Sequence, residues 1–377
     1  MNVSYWEKKT FLNHQDLIIV GCGIVGLSAA LNFKRKFPAK NVLIVDGGIL
    51  PEGASTKNAG FACIGSAGEL LSDLKRYDEA AVFSLVERRK KGLDLLRSTL
   101  GDNQICYEQF GGYELFSEKE KYEEIAEKIN YFNKNLSKIT GSDATYTFTD
   151  DEIGQFGFKG VKHLIKNNCE GQIDTGKMMK SLMAISRESG VEMLFGAKVN
   201  EIIQNQTETG VLLENGQCIN ASQLLICTNG FARELLPELD VVPARAQVLV
   251  TSVIEKLKVK GSFHFDEGYY YFRNIDGRIL LGGARNIDFE GETTTKFGNT
   301  PIIMERLKQM LDEMIIPEQD YQIDHVWSGI MAFGESKNPI VKQVTPNIYC
   351  AVRLGGMGVA IGSLVGKEAV ELMTERV

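Results

Sequence analysis

The chain has 377 residues, more than one hydrophobic core usually fills, so two lobes are expected. No apolar run approaches the roughly 20 residues that span a bilayer, and Met1 to Lys9 lacks a basic-then-apolar signal pattern, which points to a soluble cytoplasmic protein. The formal net charge is −7 and the longest basic cluster, Arg88 to Lys91, falls inside a predicted helix, so neither a nucleic acid nor a membrane is an expected partner.

The first predicted unit is an apolar strand, Asp16 to Val20, followed by Gly21-Cys-Gly23-Ile24-Val25-Gly26 and a helix from Ile24 to Phe37 that Pro38 stops. A second apolar strand, Asn41 to Val45, ends in Asp46, 20 residues past Gly26. This order suits an ADP-containing dinucleotide. Gly21 permits the tight turn, Gly23 a close approach of backbone to pyrophosphate, and Gly26 close packing of helix on sheet. The phosphates would meet free amides at the helix N-terminus, and Asp46 would accept hydrogen bonds from ribose hydroxyls.

A loop rich in Gly, Ala and Ser runs from Gly47 to Gly68. Helical periodicity then covers about Tyr77 to Leu100, and a second amphipathic stretch carries Ile125, Ile129, Phe132, Leu136 and Ile139. From Gly171 the pattern is helix (Thr175 to Ser189) and short strands (Val191 to Leu194, Lys198 to Ile203, Gly210 to Leu213). A buried strand, Leu224 to Cys227, ends in Thr228-Asn229-Gly230. A βαβ unit interrupted and then resumed implies a nucleotide domain built from separate pieces of chain. The stretch from Val241 to about Ile330 is strand-rich, with strands at Gln247 to Val253, Tyr269 to Arg273 and Arg278 to Leu281, and reads as an antiparallel sheet of a second lobe. A last strand, Asn347 to Val352, a glycine turn and a helix from Val359 to Arg376 return to the first lobe.

The fold class is therefore α/β, with a Rossmann-like nucleotide domain from residues 1–90, 160–235 and 335–377 and an α+β substrate domain from 91–159 and 236–334. Seven cysteines, at 22, 63, 106, 169, 218, 227 and 350, are scattered without CxxC spacing and read as reduced thiols. The four histidines have no metal-ligand spacing, so no metal is expected.

Several segments taken together resemble the FAD-dependent D-amino acid oxidase superfamily, the group of glycine oxidase, sarcosine oxidase and gamma-glutamylputrescine oxidoreductase. They are Gly21 to Ala30, Gly53-Ala-Ser55-Thr56-Lys-Asn58-Ala59-Gly60, Ile173-Asp174, Ile226 to Gly230, Pro243 to Gln247 and Gly355-Gly356-Met357-Gly358. Ser4-Tyr-Trp-Glu7 resembles the putrescine-degrading branch. The resemblance implies FAD rather than NAD. Gly47 would continue the ribose site, Ser55, Thr56, Asn58, Ala59 and Gly60 would thread between pyrophosphate and isoalloxazine, and Val199 would offer its backbone to the adenine. The amides of Gly355 to Gly358 would face the pyrimidine carbonyl, where negative charge develops on reduction.

The resemblance also implies oxidation of a C–N bond in a small amine or amino acid, by hydride transfer from a neutral amine to flavin N5 and hydrolysis of the imine. The electrons would pass to O2 or another acceptor. Tyr269 and Tyr271 are expected to face the substrate, with Arg273 on the same alternation.

Three departures bear on this. Members that oxidise amino acids carry an arginine after a Trp, where this chain has Met331. Sarcosine oxidases have a lysine where Ala360 stands and another where Leu280 stands. Arg353, with Arg245, Arg273 and Arg285 behind it, is the expected carboxylate anchor, and without a cysteine between Trp327 and Pro339 the FAD is expected to be non-covalent. The alternatives are an FAD-dependent dehydrogenase of a hydroxy acid (2-hydroxyglutarate or glycerol-phosphate type), a flavin domain serving tRNA modification, and an NAD-linked Rossmann dehydrogenase.

Overall fold

The computed structural model describes residues 3–204 and 209–375. Met1 and Asn2, in the expected N-terminal segment, and Arg376, the expected end of the last helix, lie outside the described residues.

The apolar strand Gln15–Val20 sits at the centre of an eight-stranded sheet, with Val42–Val45 and then Val191–Leu194 on one side and Cys218–Ile226 and then Ile348–Val352 on the other. All four pairings are parallel, and the register aligns Val20 with Val45 and Ile226, Ile226 with Cys350, and Val45 with Leu194. The strands therefore end together, and Gly21, Asp46, Cys227 and Arg353 leave the sheet along one edge. Ligands of open α/β sheets bind at that edge. Antiparallel strands extend the sheet: Ile340–Thr345 beyond Ile348–Val352, and the meander Val199–Gln204 and Thr209–Leu213 on the front half of Cys218–Ile226.

Nearly all residues of the strands Gln15–Val20, Val42–Val45 and Ile348–Val352, and the last three of Cys218–Ile226, are apolar and buried, as strands covered on both faces must be. The helices Ile24–Lys36 and Gly358–Thr374 pack together over one face, close enough that a methyl group at Gly366 would lie 2.6 Å from the Val25 carbonyl oxygen. The long helix Glu79–Leu100 crosses the last helix at Gly92, where a methyl group would lie 2.3 Å from the Ala360 oxygen. The amphipathic stretch expected as one helix is two, Lys119–Ala126 and Ile129–Thr140. Both bury their apolar stripe, but the ladder breaks at Lys128, whose amide donates three residues back to the Ile125 oxygen (2.9 Å).

The second sheet also has eight strands, in the order Ile323–Phe333, Val242–Thr251, Arg278–Gly283, Tyr270–Ile275, Ser262–Phe265, Gly112–Phe116, His163–Asn167 and Tyr146–Phe148. It is antiparallel apart from the pairing of Ser262–Phe265 with Gly112–Phe116. The strand His163–Asn167 belongs to this sheet, although the expected boundary at 160 assigns it to the first lobe. One face packs Leu249, Leu281, Phe272, Phe263 and Tyr113 against the helix Pro301–Met310. The other face turns toward the first lobe. No described helix is long and apolar enough to cross a membrane.

Candidate functional site: a glycine cradle facing an aromatic sheet

Four segments meet at the edge where the parallel strands end. The first is the turn Gly21 to Gly26. Gly21 has φ +109°, and a methyl group there would lie 2.8 Å from the Cys227 oxygen; at Gly26 it would lie 2.1 Å from the Gly21 oxygen. Neither clash can relax without moving backbone. The helix that follows has 13 residues and no side-chain cap of its own, but the Ile24 amide donates to Ser55 Oγ (2.9 Å), which joins the turn to the second segment. By helix geometry the amides of Val25 and Gly26 have no partner inside the helix.

Asp46 accepts from the Cys22 amide (2.8 Å) through Oδ2 and from the Gly48 amide (3.1 Å) through Oδ1. The carboxylate thus holds the turn in shape, and its remaining lone pairs can still meet ribose hydroxyls. Burial pushes its pKa up, against those two amide bonds. Gly47 packs against the side chain of Lys198, and Val199 pairs with Leu213 across a bulge with its side chain in the core.

In the second segment, Ala54–Lys57 is a single helical turn. Thr56 donates to the Pro51 oxygen (2.5 Å), and Asn58 donates to Ala54 and Ser55 while its Oδ1 accepts from Gly60 (2.9 Å) and Thr175 (2.8 Å). Thr56 and Asn58 are therefore spent on the loop itself. Ala59 and Gly60 lead into Phe61-Ala62-Cys63, and Cys63 Sγ lies 4.0 Å from Met357 Sδ in the fourth segment. The third segment is Thr228 to Gly230. Asn229, with φ +47°, accepts from the amides of Arg353 (3.1 Å) and Leu354 (3.3 Å), which ties this segment to the fourth. A methyl group at Gly230 would meet the Met331 oxygen at 2.7 Å. In the fourth, Gly355 and Gly356 are left-handed (φ +57° and +79°), and the uncapped N-terminus of Gly358–Thr374 opens beside them.

The cradle fits a dinucleotide by an independent sign: the buried Thr228 hydroxyl has no hydrogen-bond partner among the described residues. A native protein seldom leaves such a group empty unless a ligand or water serves it. Among the described residues no cluster of His, Cys, Asp and Glu gathers as a metal site.

Opposite the cradle, the sheet register sets Trp327, Val248, Gly282, Tyr271, His264 and Glu114 in one row across six strands, all on the face turned to the first lobe. Residues 57–68 lie along this row. The Trp327 indole donates to the Lys57 oxygen (2.9 Å), the Phe61 ring meets Tyr271 (5.6 Å) and His264 (5.2 Å), and the Gly68 amide donates to Glu114 (2.8 Å). Met331 reaches the glycine turn, its sulfur 3.5 Å from where a methyl group at Gly356 would stand.

Burial shifts the titrating groups along and behind this row. Burial lowers His264 to about 4 and leaves its Nε2 without a partner among the described residues. Burial raises Glu114 to about 7 and Glu170 to about 8, and Glu170 holds the Ile64 and Gly65 amides (2.8 and 2.9 Å). Burial alone would also raise Glu69, but Arg89 and Lys337 hold it down at about 2. These carboxyl groups support the 64–69 turn from behind.

The four arginines fall in different places. Arg353, expected first as the substrate anchor, spends its guanidinium on the carboxylate of Asp240 and the carbonyls of Asp240 and Asn338. Arg245 forms a fork with Glu292 (2.9 and 2.8 Å). Arg273 shares a face with Tyr271, is 4% exposed, and donates to the Gly60 (3.0 Å) and Ile173 (2.8 Å) oxygens. Burial lowers it to about 10. All three hold the framework. The guanidinium of Arg285 alone makes no hydrogen bond or ion pair among the described residues; it lies 4.8 Å from the ring centres of both Phe289 and Phe333.

Tyr269 is in the turn before its strand, 37% exposed and 5.9 Å from Phe289, whereas Tyr270 is buried in the opposite face. Phe61, Cys63 and His264 were not among the expected site residues. Phe61 and Cys63 follow directly on a recognised loop, while the short strand Ser262–Phe265 carries no pattern that marks His264.

A family model described as FAD dependent oxidoreductase (DAO) matches residues 16–372. The probable oxidoreductase OrdL of Haemophilus influenzae is 21% identical over 379 residues, covering 96% of this chain and 83% of the relative. The bifunctional protein ThiO/ThiG of Trichormus variabilis is 24% identical over 335 residues, 87% of this chain, which spans 47% of that longer protein. The structure of glycine oxidase from Bacillus cereus is similar with a TM-score of 0.76 at 16% identity, covering 96% of this chain and 98% of that one, a likeness of fold. The glycine motif of dinucleotide type, the cradle at the sheet edge and the family match along nearly the whole chain agree: this protein belongs to the FAD dependent oxidoreductase (DAO) family and its cofactor is FAD.

Proposed function

We propose that the chain oxidises the C–N bond of a small amine or amino acid to an imine, which hydrolyses to a carbonyl compound and ammonia or an amine. The observation that carries this reading is the apolar, aromatic sheet face opposite the cradle, with half-buried Phe61, Tyr271, Met331 and a neutral His264. A site of low polarity disfavours an ammonium ion and favours the neutral amine, the form that can give up a hydride from the adjacent carbon. When bound, FAD supplies the two-electron acceptor for that hydride.

In this reading the turn Gly21 to Gly26 seats the pyrophosphate: Gly21 and Gly23 leave the space, Ile24 is held by Ser55, the free amides of Val25 and Gly26 donate, and Thr228 completes the shell. Asp46 and Gly47 take the ribose and Val199 the adenine. The open amides at Gly356 and Gly358 face the flavin ring, where the helix N-terminus favours negative charge, and the Gly355 amide fixes the turn by donating to the Ala332 oxygen (3.1 Å). Ser55, Asn58, Gly60, Asn229 and Gly230 position these groups. Tyr271 forms the floor against which substrate rests; its ring lies over Gly282, where a side chain would strike it at 2.6 Å, so glycine there leaves the ring its place.

Leu280 is 4% exposed on the same sheet face, so the residue at this position supplies no cation to activate oxygen. This favours slow reoxidation by O2 and a second acceptor. Turnover with stoichiometric ammonia or amine release tests the reading; reduction by hydroxy acids alone would replace it with the hydroxy-acid alternative.

A further inference from the structure

We infer that Arg285 binds a carboxylate of the substrate, so that the substrate is an amino acid or a carboxylated amine and not a bare amine; the amine part of this statement rests on the function proposed above. Three observations carry it.

The first is the state of the guanidinium. Arg245, Arg273 and Arg353 are spent on Glu292, on carbonyl oxygens and on Asp240, whereas the five N–H donors of Arg285 have no partner among the described residues. The rings of Phe289 and Phe333 flank the guanidinium, each with its centre 4.8 Å from the guanidinium carbon, and neither offers an acceptor to the N–H groups. The donors are left for an incoming group, and a carboxylate is the group that can take two of them in parallel N–H···O bonds.

The second is position. Phe333 lies on the same strand face as Met331, two residues away, and Met331 touches the flavin-side glycine turn at Gly356. Ala284, just before Arg285, donates its amide to the Tyr269 oxygen (2.9 Å). Arg285 thus stands between the turn and the exposed ring of Tyr269.

The third is how the backbone holds it. Gly283 (φ +117°) and Ala284 (φ +62°) are both left-handed, and a methyl group at Gly283 would lie 2.0 Å from the Tyr269 oxygen. A left-handed alanine is costly, and its surroundings must impose it. Beyond it, the Arg245 fork to Glu292, joined by Gln247 (2.8 Å), fixes the loop that carries Phe289. Burial also lowers the pKa of Arg285, against Tyr269 and Glu292, consistent with a cation short of counter-charge. The rim formed by Tyr269 and Phe289, 5.9 Å apart, suits an apolar or aromatic substituent beside the carboxylate.

The test uses the FAD-loaded protein and two probes that differ only in charge, phenylacetate and phenylacetamide, titrated against the visible flavin spectrum. Wild type is expected to bind the acid more tightly than the amide. Arg285→Gln is expected to weaken the acid by about tenfold to about a hundredfold, the range for losing a charged bidentate contact, with the amide unchanged. Arg285→Lys should recover part of the loss, since it keeps the charge without the fork. Unchanged FAD content and melting temperature show that a weakened variant is folded. Equal binding of phenylacetate by wild type and Arg285→Gln overturns the inference, as does failure of wild type to prefer the acid.

A second arm compares an amino acid with its decarboxylated amine as anaerobic reductants. Arg285→Gln should raise KM for the acid and leave that of the amine unchanged. If neither reduces wild type, the proposed function falls, and the phenylacetate titration still decides the role of Arg285.

Discussion

Asn229→Ala tests how the cradle is held together. The Asn229 carboxamide oxygen accepts from the amides of Arg353 (3.1 Å) and Leu354 (3.3 Å), which joins the segment after one parallel strand to the segment after its neighbour. Removing it leaves two amides without a partner, at about 1 kcal/mol each for a half-buried site. Asn229 is also left-handed at φ +47°, where alanine costs about 1 kcal/mol more than asparagine. The sum is about 3 kcal/mol, a ceiling of roughly two orders of magnitude on the dissociation constant if all of it falls on the FAD-bound form.

The assay is titration of the apoprotein with FAD by quenching of flavin fluorescence, with thermal unfolding of the apo and loaded forms alongside. Loss should be larger in the loaded form, because in the proposed seat FAD needs the two segments in register. Asn229→Asp keeps both the acceptor and the tolerance for left-handed backbone, and should stay near wild type. A dissociation constant for Asn229→Ala within threefold of wild type, with unchanged melting temperature, would refute the claim that this side chain couples the two segments.

Two further outcomes are expected. Gly26→Ala places a methyl group 2.1 Å from the Gly21 oxygen, a backbone atom that cannot move without opening the turn, so the variant should purify without the yellow of bound flavin; full FAD content would contradict this. The second concerns pH. Glu170 titrates at about 8 in the folded chain against an ordinary value of 4.5, so between those limits the folded state holds one more proton and stability falls as pH rises, by about 1.4 kcal/mol per unit for this group. Glu114, at about 7, acts in the same direction, whereas the contribution of Glu69, held at about 2, is lost only as pH falls from 4.5 toward 2. His264, held at about 4 against an ordinary 6.5, opposes the two glutamates below about pH 6.5, so the melting temperature should decline most clearly from pH 6.5 to pH 8, and Glu170→Gln, which still accepts from the Ile64 and Gly65 amides, should flatten that decline. A wild-type profile flat across this window would sink the assignment.

Much of the first lobe was legible because its signals are local. Gly21, Gly23, Gly26 and Asp46 sit at fixed spacing within one βαβ unit, and the strands Val42–Val45, Val191–Leu194 and Ile348–Val352 are short apolar runs between turns. The two helices at Lys119–Thr140 were less legible, since the apolar positions step across the break without interruption. The second sheet was read in part. The alternation that sets Tyr271 and Arg273 on one face is visible in sequence, but the strands Gly112–Phe116 and His163–Asn167 join that sheet through pairings over long separations that no local pattern reports. For the same reason the arginines could not be sorted. Arg353 adjoins the glycine turn in sequence, yet its carboxylate partner is Asp240, and Arg245 finds Glu292 across a loop. Only the folded chain shows which guanidinium is left over.

The central claim is that this flavoprotein takes a hydride from a carbon bonded to nitrogen. Anaerobic titration of the FAD-loaded chain with a panel of amino acids, amines and hydroxy acids, reading loss of the visible flavin absorbance and the ammonia or amine released, tests it most directly. Bleaching by at least one amino acid or amine, with one equivalent of ammonia or amine per flavin reduced, is the predicted result. Bleaching by hydroxy acids alone, with no nitrogen released, would contradict it.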